Sequence, residues 1–248
     1  MVFTSFCFAI KLLTPFNNLQ TLSRRHKFAG EKFISAWNLE AAGKTDTVLE
    51  AGYPRNDFLI NHTPEDAARI KQELHLPADK KVILYAPTWR DNQHDAKIGY
   101  VYKTAVDFER LRKALGQEYI ILFRAHYLVA NSFDFKKYAG FVYNVSDVSD
   151  INKLYVVSDM LITDYSSVFF DYANLKRPML FYMYDLASYA GEIRGFYIST
   201  DELPGPIVQT EDKLIEAVQN AEAHASMYAE KYLSLIHISE PTRLLSIS

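Results

Sequence analysis

Between residues 80 and 233, short apolar runs alternate with helix-like segments, and most of the runs end in a polar or charged loop. Val82 to Tyr85, Tyr119 to Phe123, Phe141 to Asn144, Met160 to Thr163 and Met179 to Met183 read as strands. Phe108 to Leu115 (stopped by Gly116), Ile151 to Val157 and Ser166 to Leu175 read as helices, and Thr210 to about Tyr232 as a long closing helix. Strands that are apolar along nearly their whole length are buried on both faces, and intervening helices supply the covering layers. The pattern predicts an α/β fold in which residues 80–233 form a Rossmann-like parallel-sheet domain.

The upstream part is organised differently. Thr63-Pro64-Glu65-Asp66 has the marks of a helix start: a capping Thr, Pro at the first helical position and acids in the first turn. That helix is expected to run to about Leu74. Val48 and Leu49 read as a short strand leading toward Gly52-Tyr53-Pro54-Arg55-Asn56-Asp57, and Phe28 to Trp37 as an amphipathic helix. Residues 1–50 are expected to be the remnant of a preceding domain or a divergent segment, and residues 51–79 an inter-domain strand and helix. Residues 234–248 lack the preceding periodicity and are expected to be a non-native tail.

Charge and composition narrow the function. The formal net charge of −3 gives no electrostatic basis for nucleic-acid binding. The local run Arg24-Arg25-His26-Lys27 suits either a solvated face or contact with anionic lipid. The single cysteine, Cys7, excludes an intrachain disulfide and a Cys-rich metal site. No apolar run reaches the roughly 18 to 20 residues of a membrane-spanning helix.

The chemistry is expected in the loops that follow the strands, because ligands of open α/β sheets sit at the strands' carboxyl ends. After Leu161-Ile162-Thr163 come Asp164-Tyr165-Ser166-Ser167 and a helix. Thr163, Ser166 and Ser167 offer hydroxyls, and the helix start offers free N–H groups to a phosphate or diphosphate. Asp164 or Ser166 acting only as a helix cap is the alternative. Phe123-Arg124-Ala125-His126 leaves the preceding strand at the same edge. Residues two apart on extended chain point the same way, so Arg124 would supply fixed charge and His126 a proton or hydrogen bond. A purely structural Arg–His pair remains open there. In Ala86-Pro87-Thr88-Trp89-Arg90-Asp91, Trp89 supplies a flat wall or core packing, with Thr88 and Arg90 as substrate contacts. In Glu192-Ile193-Arg194-Gly195-Phe196-Tyr197, Arg194 would meet phosphate and Glu192 a ribose or glycerol hydroxyl. A phosphate loop, a GxGxxG turn, a GxSxG elbow and an HExxH motif are all absent, so no cofactor and no metal are expected.

Seven stretches together resemble the CDP-glycerol:poly(glycerophosphate) glycerophosphotransferase family of teichoic acid biosynthesis. They are Gly52–Asp57, Tyr85–Arg90, Phe123–His126, Val157–Asp171, Arg177-Pro178, Arg194–Tyr197 and Leu203–Val208, in the family's order and spacing. The resemblance covers residues 48 to 232 and implies the C-terminal, donor-binding half of a GT-B-type fold. It implies transfer of glycerol phosphate from CDP-glycerol to a lipid-linked teichoic acid primer or chain, with release of CMP, at the inner face of the bacterial cell membrane. The partners implied are a CDP-alcohol, a lipid-linked glycerol phosphate acceptor and an anionic membrane surface. His126 and Arg124 would bind or activate the donor diphosphate, and Thr163, Ser166 and Ser167 would hold phosphate. Arg194, Asp164 and Asp171 are further candidates, with Asp171 fixing its helix in place as the alternative.

The chain departs from the family in one respect. Members carry a His-Gly-Thr-Pro motif upstream of GYPRND whose His is the expected catalytic base; this chain has only Leu13-Thr14-Pro15. A truncated reading frame, binding the donor but transferring little, is the expectation. The other readings are a ribitol phosphate transferase, a GT-B enzyme using a nucleotide sugar, and a catalytically silent nucleotide-binding module.

Overall fold

The computed structural model describes residues 22–24, 31, 34–50, 54–88, 94–95, 99–100, 105–124, 133–188 and 199–239. The strands in chain order are β1 (Leu22–Arg24), β2 (Val48–Glu50), β3 (Lys81–Ala86), β4 (His94–Asp95), β5 (Gly99–Tyr100), β6 (Tyr119–Phe123), β7 (Val142–Asn144), β8 (Met160–Thr163), β9 (Met179–Tyr182) and β10 (Ile207–Val208). β1 and β2 form a separate parallel pair, and β4 and β5 a small antiparallel ribbon.

The remaining six strands build one sheet in the order β10-β9-β8-β3-β6-β7, with every pairing parallel. From β3 the chain steps outward through β6 to β7, returns to the other side of β3 as β8, and continues to β9 and β10. This is the doubly wound order with its switch point between β3 and β8.

Alternate residues of each strand feed two cores. Val82, Leu84, Ile120, Leu122, Leu161, Met179 and Phe181 face one layer, with Leu59, Ile70, Leu154, Tyr172, Tyr232 and Leu235 from its helices. Ile83, Tyr85, Ile121, Phe123, Met160, Ile162 and Leu180 face the other, with Phe108, Leu111, Leu115, Leu214 and Val218. Both faces are covered, which is why the strands read as continuous apolar runs.

The Pro64–Glu73 helix begins as its sequence predicts: Thr63 and Asp66 form a reciprocal capping box. Two helices depart from expectation. The segment after β8 has only five α-helical residues, Val168–Tyr172, followed by a 3-10 turn, Ala173–Leu175, closed by Lys176 at φ 54°. The closing helix is three pieces, Glu211–Gln219, Ala221–Met227 and Ala229–Ser239. Asn220 interrupts the first junction, where its own side chain donates to the Glu216 carbonyl at 2.8 Å. The last piece runs past Tyr232 and buries Leu235. Of the expected helix over Phe28 to Trp37, residues 28–30, 32 and 33 lie outside the described residues, and 31 and 34–36 are helical.

Candidate donor site at the sheet switch point

The carboxyl ends of β3, β6 and β8 share one rim. Tyr85 of β3 pairs with Phe123 on one side and with Ile162 on the other. Thr88, Arg124 and the Asp164–Ser167 turn therefore emerge together, at the switch point where open α/β sheets leave a crevice.

Asp164 ties the turn to the β3 loop. Its side chain is buried, and Oδ1 accepts from the Thr88 N–H at 2.8 Å, the Thr88 Oγ1 at 2.6 Å and the Tyr165 N–H at 2.6 Å. Below it, the fully buried Thr163 donates its hydroxyl to the Ala86 carbonyl at 2.8 Å. That contact corrects the expectation that Thr163 holds phosphate: the hydroxyl turns inward and closes the gap between two strand ends. Asp164 and Thr88 likewise engage one another rather than simply facing the crevice.

Ser166 and Ser167 behave differently. Both are half-buried, and Ser167, at the cap position, makes no capping bond. Neither hydroxyl takes a hydrogen bond among the described residues, so helix capping does not occupy them. The five-residue helix behind them has little dipole to offer, because that effect needs aligned peptides over several turns. An anion here would rely on the hydroxyls and the crevice.

Arg124 is anchored at the rim through its backbone, whose N–H donates to the Tyr85 carbonyl at 3.0 Å. Its Nη1 donates to the carbonyls of Val145 and Val148, at 3.1 and 2.7 Å, bracing the loop after β7. Burial pushes its pKa down from the ordinary value, while Tyr155 acts weakly in the other direction. A guanidinium starts so high that it keeps its charge at neutral pH.

Asp171, one helical turn beyond Ser167, binds Arg55 and Asn56. Its Oδ2 meets Arg55 Nη2 at 3.0 Å, and its Oδ1 accepts from Asn56 Nδ2 at 3.1 Å. Asn152 Nδ2 donates to the Arg55 carbonyl at 2.6 Å. Tyr165 donates its hydroxyl to Asp185 Oδ1 at 2.9 Å, joining the loops after β8 and β9. Sequence reading missed Asn152, Tyr165 and Asp185 as supports of the site. Arg55 and Asn56 lay within the GYPRND stretch, but nothing in that stretch named their partner. His126, Trp89, Arg90, Glu192 and Arg194 lie outside the described residues.

Among the described residues, no group of three or more His, Cys, Asp or Glu could hold a metal ion. An open cleft at the amino ends of β3 and β6 is lined by Lys81, Glu118, Tyr119, Asn220 and Glu222. It is the wrong end of the sheet for this chemistry, and its lysine already sits 3.7 Å from Glu222.

Known proteins match this arrangement. The chain is 54% identical over 175 residues to the teichoic acid poly(glycerol phosphate) polymerase of Bacillus subtilis, covering 70% of this chain and 24% of that protein. It is 49% identical over 189 residues to the teichoic acid glycerol-phosphate transferase of Staphylococcus aureus, covering 75% of this chain and 48% of that one. The chain thus spans less than half the length of either relative. A solved structure of a variant of the wall teichoic acid polymerase TagF, soaked with CDPG, superposes with a TM-score of 0.80 at 40% identity. That match covers 88% of this chain and 53% of the other, and the parallel α/β sheet corresponds to TagF's GT-B-like architecture. The model of the CDP-glycerol:poly(glycerophosphate) glycerophosphotransferases matches residues 29–237, and the chain belongs to that family of teichoic acid enzymes.

Proposed function

We propose that this chain is the donor-binding part of a CDP-glycerol glycerophosphotransferase. Residues 80–233 form the nucleotide domain in this reading, and residues 51–79 connect it to the acceptor side. The observation that carries it is the pair of serine hydroxyls, Ser166 and Ser167, that take no hydrogen bond among the described residues and are held at the β3/β8 switch point by the Asp164–Thr88 contact. The TagF structure soaked with CDPG, similar over most of this chain, supports the same donor.

In the reaction, an acceptor hydroxyl oxygen attacks the phosphorus that bears glycerol. A new P–O bond forms, the bond from that phosphorus to the bridging oxygen breaks, and CMP leaves with the oxygen and its electron pair. The acceptor's proton passes to a base. Negative charge builds on the bridging oxygen, so donors fixed around it lower the barrier. Ser166 and Ser167 would hold the diphosphate, and Arg124 would add fixed charge with the part of its fork not facing Val145 and Val148. His126, two residues beyond Arg124, would hydrogen-bond or protonate the leaving group. Arg90 and Arg194 would add charge, and Glu192 would meet a donor hydroxyl. The acceptor is a lipid-linked glycerol phosphate chain, which places the enzyme peripherally on the inner, anionic membrane face. Among the described residues, no helix is long and apolar enough to cross a membrane.

Titration calorimetry tests the reading with CDP-glycerol, CDP-ribitol and UDP-glucose. CDP-glycerol binding in preference to UDP-glucose is expected. Preference for the nucleotide sugar, or no binding of CDP-glycerol, would sink it; tighter binding of CDP-ribitol would move the reading to the ribitol transferases.

A further inference from the structure

Asp171 follows the serine turn by one helical turn and binds a distant segment of the chain. Its side chain is only 10% exposed, yet its carboxylate spends its oxygens on a segment 115 and 116 residues earlier in the chain. Arg55 supplies the charge and Asn56, itself buried, an amide hydrogen. Asn152 grips the same segment from the helix Ile151–Val157, through the Arg55 carbonyl. Two helices are therefore clamped onto one short piece of chain. One follows the Ser166–Ser167 turn directly, and the other follows the loop that Arg124 braces.

We infer that Asp171 is a positioning residue for the donor site: through Arg55 and Asn56 it fixes where the Ser166–Ser167 turn stands at the switch point. The inference rests on the donor reading above. The helix between Ser167 and Asp171 is little more than one turn, too short to flex within itself, so a shift at Asp171 becomes a shift at the serines. The clamp thereby ties the serine turn to a segment more than 100 residues earlier in the chain, and not only to its own sheet.

Binding is sensitive to such shifts, since hydrogen bonds weaken steeply once their distance and angle leave a narrow range. The test is calorimetric titration of the chain with CDP-glycerol, well below the melting temperature, for wild type, Asp171→Asn, Arg55→Gln and the double variant. Each single change is expected to weaken binding about tenfold, and the double change no more than either alone, because both break one linkage. Should Asp171→Asn fail to fold, Arg55→Gln carries the test, its side chain being 46% exposed. Folded variants that bind as wild type does, or losses that simply add, overturn the inference and leave the donor reading standing. A wild-type chain that does not bind CDP-glycerol overturns both.

Discussion

Asp164 places a carboxylate beside the serine turn proposed to hold the donor diphosphate. Unscreened, it would repel a diphosphate. Here three donors converge on one of its oxygens, which spreads its charge into the Thr88 loop and locks that loop to the serine turn. Asp164→Ala would strand two backbone N–H groups, at a cost of about 1 to 3 kcal/mol each where water cannot replace the acceptor. Asp164→Asn keeps an acceptor in place and should lose clearly less. Urea unfolding of both variants checks this, and an Asn variant as unstable as the Ala variant would contradict the role. Ser167→Ala should do the opposite. Its hydroxyl makes no cap, so the melting temperature should hold, while CDP-glycerol affinity falls about fivefold through one lost hydrogen bond of about 1 kcal/mol. At this scale the sequence showed which residues cluster but not which way they turn. A hydroxyl at a strand end can face solvent or satisfy a neighbour's carbonyl, and Thr163 does the latter because the Ala86 carbonyl lies opposite it in the β3–β8 register.

At the scale of elements, β3, β6, β8 and β9 and the helices Phe108–Leu115 and Ile151–Val157 fall where apolar runs and turn residues put them. The misses are local contests. Asn220 competes for a helix carbonyl, and the Asp164-centred turn consumes the first residues expected of the helix after β8. The LPGPIV stretch also acquires a physical reason. A Cβ on the buried Gly205 would collide with the Met179 carbonyl oxygen at the start of β9, so only glycine lets the chain cross there before β10. β10 then pairs with β9, and the Phe181 N–H donates to the Pro206 carbonyl at 3.0 Å. Gly205→Ala must push backbone against backbone and should destabilise by about 1 to 3 kcal/mol, read from the denaturant midpoint. An unchanged midpoint would contradict the close approach. Arg177, within another stretch that pointed to the family, donates to the carbonyls of Tyr155, Val156 and Ser158 and so finishes the Ile151–Val157 helix. Family resemblance drew on such structural residues as much as on site residues, which is why it identified the fold more completely than the site.

Among the described residues, Tyr172, Tyr182 and Tyr232 are buried, titratable members of the core. Burial pushes Tyr182 up to about 12 from 10.0, and the fully buried Tyr172 and the largely buried Tyr232 are raised too. Their hydroxyls donate to the carbonyls of Ala105, Ser158 and Arg177. In the unfolded chain these groups ionise near 10, so the folded state holds its protons longer. Their contribution is complete below pH 10 and is lost as pH rises from 10 toward 12 and beyond. The urea midpoint should fall across that window; a flat midpoint would contradict the buried, neutral phenols.

The proposed function requires the donor diphosphate at the carboxyl ends of β3 and β8. A crystal structure of the chain soaked with CDP-glycerol tests it most directly. The diphosphate should lie within hydrogen-bonding distance of the Ser166 and Ser167 hydroxyls, beside the Thr88–Asp164 contact. Ordered CDP-glycerol at the other end of the sheet, in the cleft beside Tyr119 and Asn220, would contradict it.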